Sequence, residues 1–196
     1  MSEPYAYDVK VTAVTDWDLV YSLALATAGM TPKSTPNVQW KSKIMKAMHS
    51  PIRALQFKVE ITIPYWVSVH LVRHNVGVQH YVQSQRVDRT GEERDSKPQD
   101  APVRHTMLIN AEALVNISRR RLCYLASPET RRAWTAVIKA LKEVDPVVGA
   151  YCVPQCIAFG HCIEMKGCGR YPKWLAYREK YERGFINQNA QPKEDQ

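Results

Sequence analysis

The chain of 196 residues has no apolar run approaching the ~20 residues that a helix needs to cross a bilayer. Its opening, Met1 to Asp8, lacks the basic-then-apolar order of a secretory signal, so a cytoplasmic protein is expected. There is no internal repeat, no Gly-rich phosphate-binding pattern and no Arg-Gly or Lys-rich tail. Acid is scarcer than base, with 19 Asp and Glu against 27 Lys and Arg, a net charge of +8. That excess points to an anionic partner, either nucleic acid or a small phosphorylated or polycarboxylated ligand. Its distribution favours the small ligand. Lys41, Lys43 and Lys46 precede His49-Ser50-Pro51, Arg119 to Arg121 lie together, and residues 173–183 mix both signs. These are local sockets rather than one long basic run.

Cysteine is present but not as a disulfide framework, because a cytoplasmic protein keeps its thiols reduced. Four of the five cysteines crowd together as Cys152-x3-Cys156-x5-Cys162-x5-Cys168, among Gly160, Gly167 and Gly169. They could be packed thiols, which behave as small apolar groups. The clustering instead suggests one structural zinc, although the usual Cys-x2–4-Cys pairs are only half met. The fifth, Cys123, is flanked by Leu122 and Leu125 and is expected to be packed, despite three neighbouring arginines that would acidify an exposed thiol.

Apolar spacing gives a coarse map. Asp8 to Val14 alternates as a strand, and Asp16 caps a helix over Trp17 to Ala28 that Gly29 ends. Lys41 to Met48 is a short amphipathic helix stopped by Pro51. Leu55 to Ile63 is the clearest strand, with Leu55, Phe57, Val59, Ile61 and Ile63 on one face. After Pro64 the pattern continues as a helix over Tyr65 to Val72. Val87 to Arg104 reads as a polar loop, Ala101 to Leu125 as mostly helix, and Pro128 to Val144 as a helix capped by Ser127. A Cys/Gly loop at 151–172, a short helix at 173–184 and a disordered tail at 187–196 follow. The expected fold is one compact α+β (α/β) domain over residues 1–186, a mixed sheet flanked by helices, and 196 residues can bury roughly 70% of their extended surface.

The chemistry-bearing stretch is His70-Leu71-Val72-Arg73-His74-Asn75, followed by Gln83-Ser84-Gln85-Arg86. Arginine forks hold phosphate or carboxylate oxygens, and amides read ring edges. The same residues would serve equally as ordinary surface charges and a satisfied histidine. A second stretch runs Asn110 to Asn116 and on to Arg121, with Ala113, Leu114 and Ile117 as the packed stripe between polar ends about 16 Å apart. On this reading Arg119 exposes its head to solvent.

In this order, His49-Ser50-Pro51, the segment from Phe57 to Val72, Arg73-His74 with Ser-x-Arg downstream, and Asn110 with Asn116 and Arg121 together resemble the flavin-dependent thymidylate synthases over roughly residues 5–145. Four departures stand out. Asn75 replaces an arginine, the signature is one residue longer so that Gln83 or Ser84 takes the serine's place, Arg53 replaces an acid, and Val87 to Met107 is short. The resemblance implies FAD held by Ser50, Arg73, His74, Asn75, Asn110 and Asn116. It implies dUMP bound by His70, Gln83 or Ser84, Gln85, Arg86 and Arg121, with Arg121 stabilising charge on the pyrimidine as the catalytic group. It further implies methylenetetrahydrofolate and NADPH as co-substrates and a homotetramer that shares its sites between subunits. Two alternatives remain open: a relative that modifies C5 of another pyrimidine nucleotide, for instance by hydroxymethylation, and a non-catalytic, zinc-stabilised nucleic-acid-binding protein.

Overall fold

The computed structural model describes residues 7–91, 93, 97–173 and 175. Strand β1 (Val9–Ala13) is followed by helix α1 (Trp17–Ala26), capped by Asp16 through the Leu19 N–H, and by α2 (Val38–Ala47), capped by Asn37. Helix α2 starts before Lys41 because of that cap. It ends at Ala47 with Met48 as its cap, turned left-handed at φ 51°, so the stop comes from Met48 before the chain reaches Pro51. A 3-10 turn (Ser50–Ala54) leads into β2 (Gln56–Pro64), then α3 (Tyr65–Val72), β3 (Val78–Val82) and the single-turn α4 (Val87–Thr90). Strand β4 (Pro102–Asn110) runs straight into α5 (Ala111–Arg121), and α6 (Pro128–Val144), α7 (Pro146–Tyr151) and α8 (Gln155–Phe159) complete the order.

The four strands form one sheet in the order β1-β2-β4-β3, antiparallel at every pairing rather than mixed. The class is α+β, as expected. The largest departure lies at Ala101 to Leu125, expected to be mostly helix. Residues 102–110 are instead a central strand, with Val103, His105, Met107 and Ile109 buried on one face. Tertiary pairing decides this segment: β4 meets β2 from Gln56↔Asn110 to Pro64↔Pro102 and β3 from Val78↔Ile109 to Val82↔His105. Strand β3 was not foreseen, and the expected loop at 87–104 holds α4 and the first residues of β4. The helix expected at 173–184 and the tail at 187–196 lie almost wholly outside the described residues.

One face of the sheet carries the core. Phe57, Val59, Ile61 and Ile63 of β2 interleave with the buried residues of β4, and Val67 and Leu71 of α3, Leu114 and Ile117 of α5, and Trp134, Val137 and Leu141 of α6 close over them. Two polar contacts fix the helices inside this core. The indole N–H of Trp134 donates to the Ser118 hydroxyl at 2.9 Å, fully buried, and that of Trp17 donates to Asp145 at 2.7 Å. No helix among the described residues is long and apolar enough to cross a membrane.

Candidate active site

Helices α3 and α5 both end at the same place. The final residue of α5 is Arg121, and its Nε–H donates to Nε2 of His74, 2.8 Å away, while its Nη2 donates to the His70 carbonyl at 2.8 Å. His74 therefore accepts on Nε2 and carries its proton on Nδ1. Burial first, then the positive charge of Arg121, holds His74 down at about 4, so the ring is neutral at physiological pH. Arg121 is itself held below the usual guanidinium range, by burial and then by the like charge of Arg73. Arg73 is exposed and Arg121 half-buried at this corner, so an entering oxyanion meets two forks, one of them partly desolvated.

His74 is braced from below by two more histidines. The His80 Nε2–H donates to the His74 carbonyl at 2.7 Å, which leaves His80 Nδ1 to accept from Nε2–H of His105 at 2.9 Å. The remaining His105 nitrogen, Nδ1, is buried with no hydrogen-bond partner among the described residues. Burial, and then His80, lowers His105 to about 4. His70 takes a separate route: its Nδ1 lies 2.9 Å from the Thr130 hydroxyl, which donates to Ser127, which donates to Glu129. That relay fixes the His70 ring with Nε2 as the open acceptor. Burial, Arg121 and Arg73, in that order, lower its pKa.

The loop from Arg73 to Gly77 turns round the end of the sheet. On the face away from the core, Gln56, Asn75, Gly77, Gln79, Leu108 and Asn110 line a hollow of about 230 Å³. Asn110 both lines it and caps α5, its Oδ1 accepting from the Ala113 N–H at 2.8 Å. Asn110 is thus the cap of the helix rather than part of its face. Gln83, Ser84 and Gln85 line a second hollow of about 250 Å³ with residues from 90 to 103.

Other expected residues engage partners of their own. Ser50 is exposed on the 3-10 turn, which is tied to the N-terminal end of α5 by a fork from Arg53 to Glu112 at 2.7 and 3.2 Å. Arg53, standing where an acid was expected, pairs with the acid Glu112 of α5. Arg86 forks onto Asp88 at 2.9 and 3.0 Å, and Asn116 is exposed, accepting from Arg119 at 3.1 Å. Arg119 exposes its head only in part: its Nε is buried, its guanidinium lies 5.4 Å from the Phe159 ring centroid, and its Nη1 meets the exposed Asn116. Cys152, one of the four cysteines expected to share a metal, points into the core. Its thiol is buried beside Ser118, and burial pushes it up to about 12. What sequence reasoning missed is the His80–His105 pair, since His105 lies on a strand that had been read as helix.

The fold has a counterpart among solved structures. It is similar to the crystal structure of a UMP/dUMP methylase, PolB, from Streptomyces cacaoi, bound with 5-Br dUMP, with a TM-score of 0.56 at 14% identity. The match covers 74% of this chain and 94% of that one. No protein family's sequence profile matches the chain, and no curated protein matches it in sequence.

Proposed function

We propose that the chain methylates C5 of a uridylate, dUMP foremost, using methylenetetrahydrofolate, FAD and NADPH. The observation that carries this reading is the Arg121–His74 hydrogen bond, which joins two motifs 47 residues apart at one anion-accepting corner. The likeness to a UMP/dUMP methylase supports the substrate class.

The amide-rich hollow fits the edge of a flavin ring. Asn75, Gln79 and Asn110 bring carboxamides to its rim, and a Cβ at Gly77 would intrude on Asn110, so glycine keeps that wall open. At about 230 Å³ it lies below the ~300–1,000 Å³ of a complete ligand pocket, which supports a site shared between subunits of a homotetramer. Asn75 and Asn110 would read the ring, while Ser50 and Asn116, both exposed, would meet the rest of FAD across a subunit boundary. Bound there, reduced FAD supplies a hydride and the folate supplies the one-carbon unit.

The chain's own groups orient and stabilise. Arg73 and Arg121 attract the anionic nucleotide, and neutral His74 leaves their charge undivided. Arg121, held in plane by His74 and the His70 carbonyl, faces charge developing on the pyrimidine. The hollow beside Gln83, Ser84 and Gln85 suits the sugar and phosphate, with Arg86 turning from Asp88 to the phosphate on binding.

The test is direct. Protein supplied with FAD, NADPH, methylenetetrahydrofolate and, separately, dUMP, UMP and dCMP is assayed for a methyl-bearing product by mass spectrometry. Product from dUMP or UMP supports the proposal. Unchanged flavin fluorescence on titration, together with no product from any of the three nucleotides, overturns it.

A further inference from the structure

A single file of hydrogen bonds leads from the His70 ring to Glu129 in the first turn of α6. His70 Nδ1 lies 2.9 Å from the Thr130 hydroxyl, that hydroxyl lies 3.4 Å from Ser127 Oγ, and Ser127 Oγ lies 3.0 Å from Glu129 Oε2. The place of every proton in the file follows by elimination. Its own main-chain N–H, and then Ser127, hold the Glu129 carboxyl below its usual range, so it is ionised and can only accept. Ser127 must donate to Glu129 and Thr130 to Ser127, which leaves Nδ1 of His70 as the nitrogen that carries the ring's proton. Nε2 is bare and has no hydrogen-bond partner among the described residues. Capping α6 does not account for this file. The cap needs only the Thr130 N–H donating to Ser127 Oγ, at 3.4 Å. It needs neither His70 nor the Thr130 hydroxyl, which is fully buried between the two helices. The file also has an inner and an outer end, since 34% of the Glu129 side chain meets solvent. At the inner end the His70 ring stands edge-on to Trp66, 5.5 Å between centroids, while its carbonyl accepts from Arg121. An imidazolium there would face the like charges of Arg121 and Arg73, so a proton arriving at the ring gains from being passed on.

We propose that His70 Nε2 takes the proton from C5 of the bound uridylate, and that Thr130, Ser127 and Glu129 carry a proton onward to water. The proposal rests on the uridylate reading above and supplies the base that such a reaction requires. Once the one-carbon unit has bonded to C5, the C5–H bond must break for the ring to regain its double bond. The electron pair of that bond stays in the pyrimidine, and the proton goes to Nε2. The Nδ1 proton then moves to Thr130, the hydroxyl protons of Thr130 and Ser127 each shift one place along, and Glu129 releases the last to water. When the product leaves, Nε2 gives up its proton to solvent, the file shifts back, and the starting tautomer returns. His70 is the catalytic group in this step. Thr130, Ser127 and Glu129 act through it as positioning residues.

The experiment uses the full chain and has two arms. In the first, with neither flavin nor nucleotide present, NMR of nitrogen-labelled histidine at neutral pH should find His70 protonated on Nδ1 and bare on Nε2. His70→Ala assigns the signals by their loss. Thr130→Val keeps the volume but removes the acceptor, and the proton should then move towards Nε2. A parent ring protonated on Nε2, or a ring that Thr130→Val leaves unchanged, overturns the proposal whatever the activity. In the second arm dUMP, FAD, NADPH and methylenetetrahydrofolate are supplied. His70→Ala should lose roughly 10²-fold or more in the rate of methylated product, the size of one general base, and recover part of it when imidazole is added. Thr130→Val should lower kcat and leave KM for dUMP unchanged. So should Ser127→Gly, which breaks the file yet still serves as a helix cap. Parent protein that makes no methylated nucleotide overturns the uridylate reading and this role at C5 together. Active parent protein with His70→Ala at full rate, or with a slowed His70→Ala that imidazole does not restore, overturns this inference alone.

Discussion

Gly77 and Asn110 are fitted to one another. The Asn110 N–H donates to the Gly77 carbonyl at 2.9 Å, and a Cβ at Gly77 would stand 2.7 Å from Asn110 Nδ2 and 2.8 Å from Oδ1. Gly77 also has φ +73°, where a side chain is strained. Gly77→Ala should therefore push Asn110 off its capping bond to Ala113 and cost ~1–3 kcal/mol, the sum of a lost cap and a left-handed alanine. Urea denaturation checks this. In an Asn110→Ala background the same substitution should cost less, because the cap is already gone.

Arg121→Lys keeps the charge at the end of α5 but loses the fork that reaches His74 and the His70 carbonyl together. Turnover should fall by roughly 10²-fold, the size of one transition-state electrostatic contact. Arg132→Lys is the matched control, since Arg132 is an exposed partner of Glu129 one turn away on α6. Steady-state kinetics on both variants gives the comparison, and equal small effects would remove Arg121 from the site.

Stability should fall as the solution becomes acidic between pH 6.5 and about 4. His74 and His105 are both held near 4 in the fold against 6.5 when unfolded, so across that window the unfolded chain binds more protons. Their contribution is complete above pH 6.5 and is lost as pH drops through the folded values. Melting curves across that range test the sign. His105→Gln, which keeps a donor for His80 and removes a titrating ring, should flatten the dependence.

Ser118→Ala changes little volume but strands the buried Trp134 indole N–H. The cost should be ~1–3 kcal/mol, the penalty for an unpartnered buried donor. A melting temperature within error of the parent would show that this hydrogen bond adds nothing.

How much of this was legible depended on whether a segment's signal was local. Helix α6 showed itself in full because Ser127, Pro128 and the stripe of Trp134, Val137 and Leu141 all lie within its own sequence. Strand β2 did so by its alternation. Strand β4 did not, because His105 occupies a core position where an apolar residue would mark the period, and its strand character comes from β2 and β3 on either side. Arg121, His70 and His74 were named from motif resemblance, and the fold puts them in contact. Arg119 is less exposed than its helix face suggested because Phe159 reaches it from the distant α8.

The sheet order has a kinetic consequence. β2 pairs with β4 across the whole of α3, β3 and α4, and β1 pairs with β2 across α1 and α2, so no two neighbouring strands are joined by a tight hairpin. Each pairing must close a long loop before its hydrogen bonds repay the entropy. Helices such as α6 can form on their own time, but the corner where Arg121 meets His74 exists only once the last of these loops has closed. Refolding should therefore be slow for a chain of this size, and the ability to bind an anion should return with the final phase, after most of the helical signal is already in place.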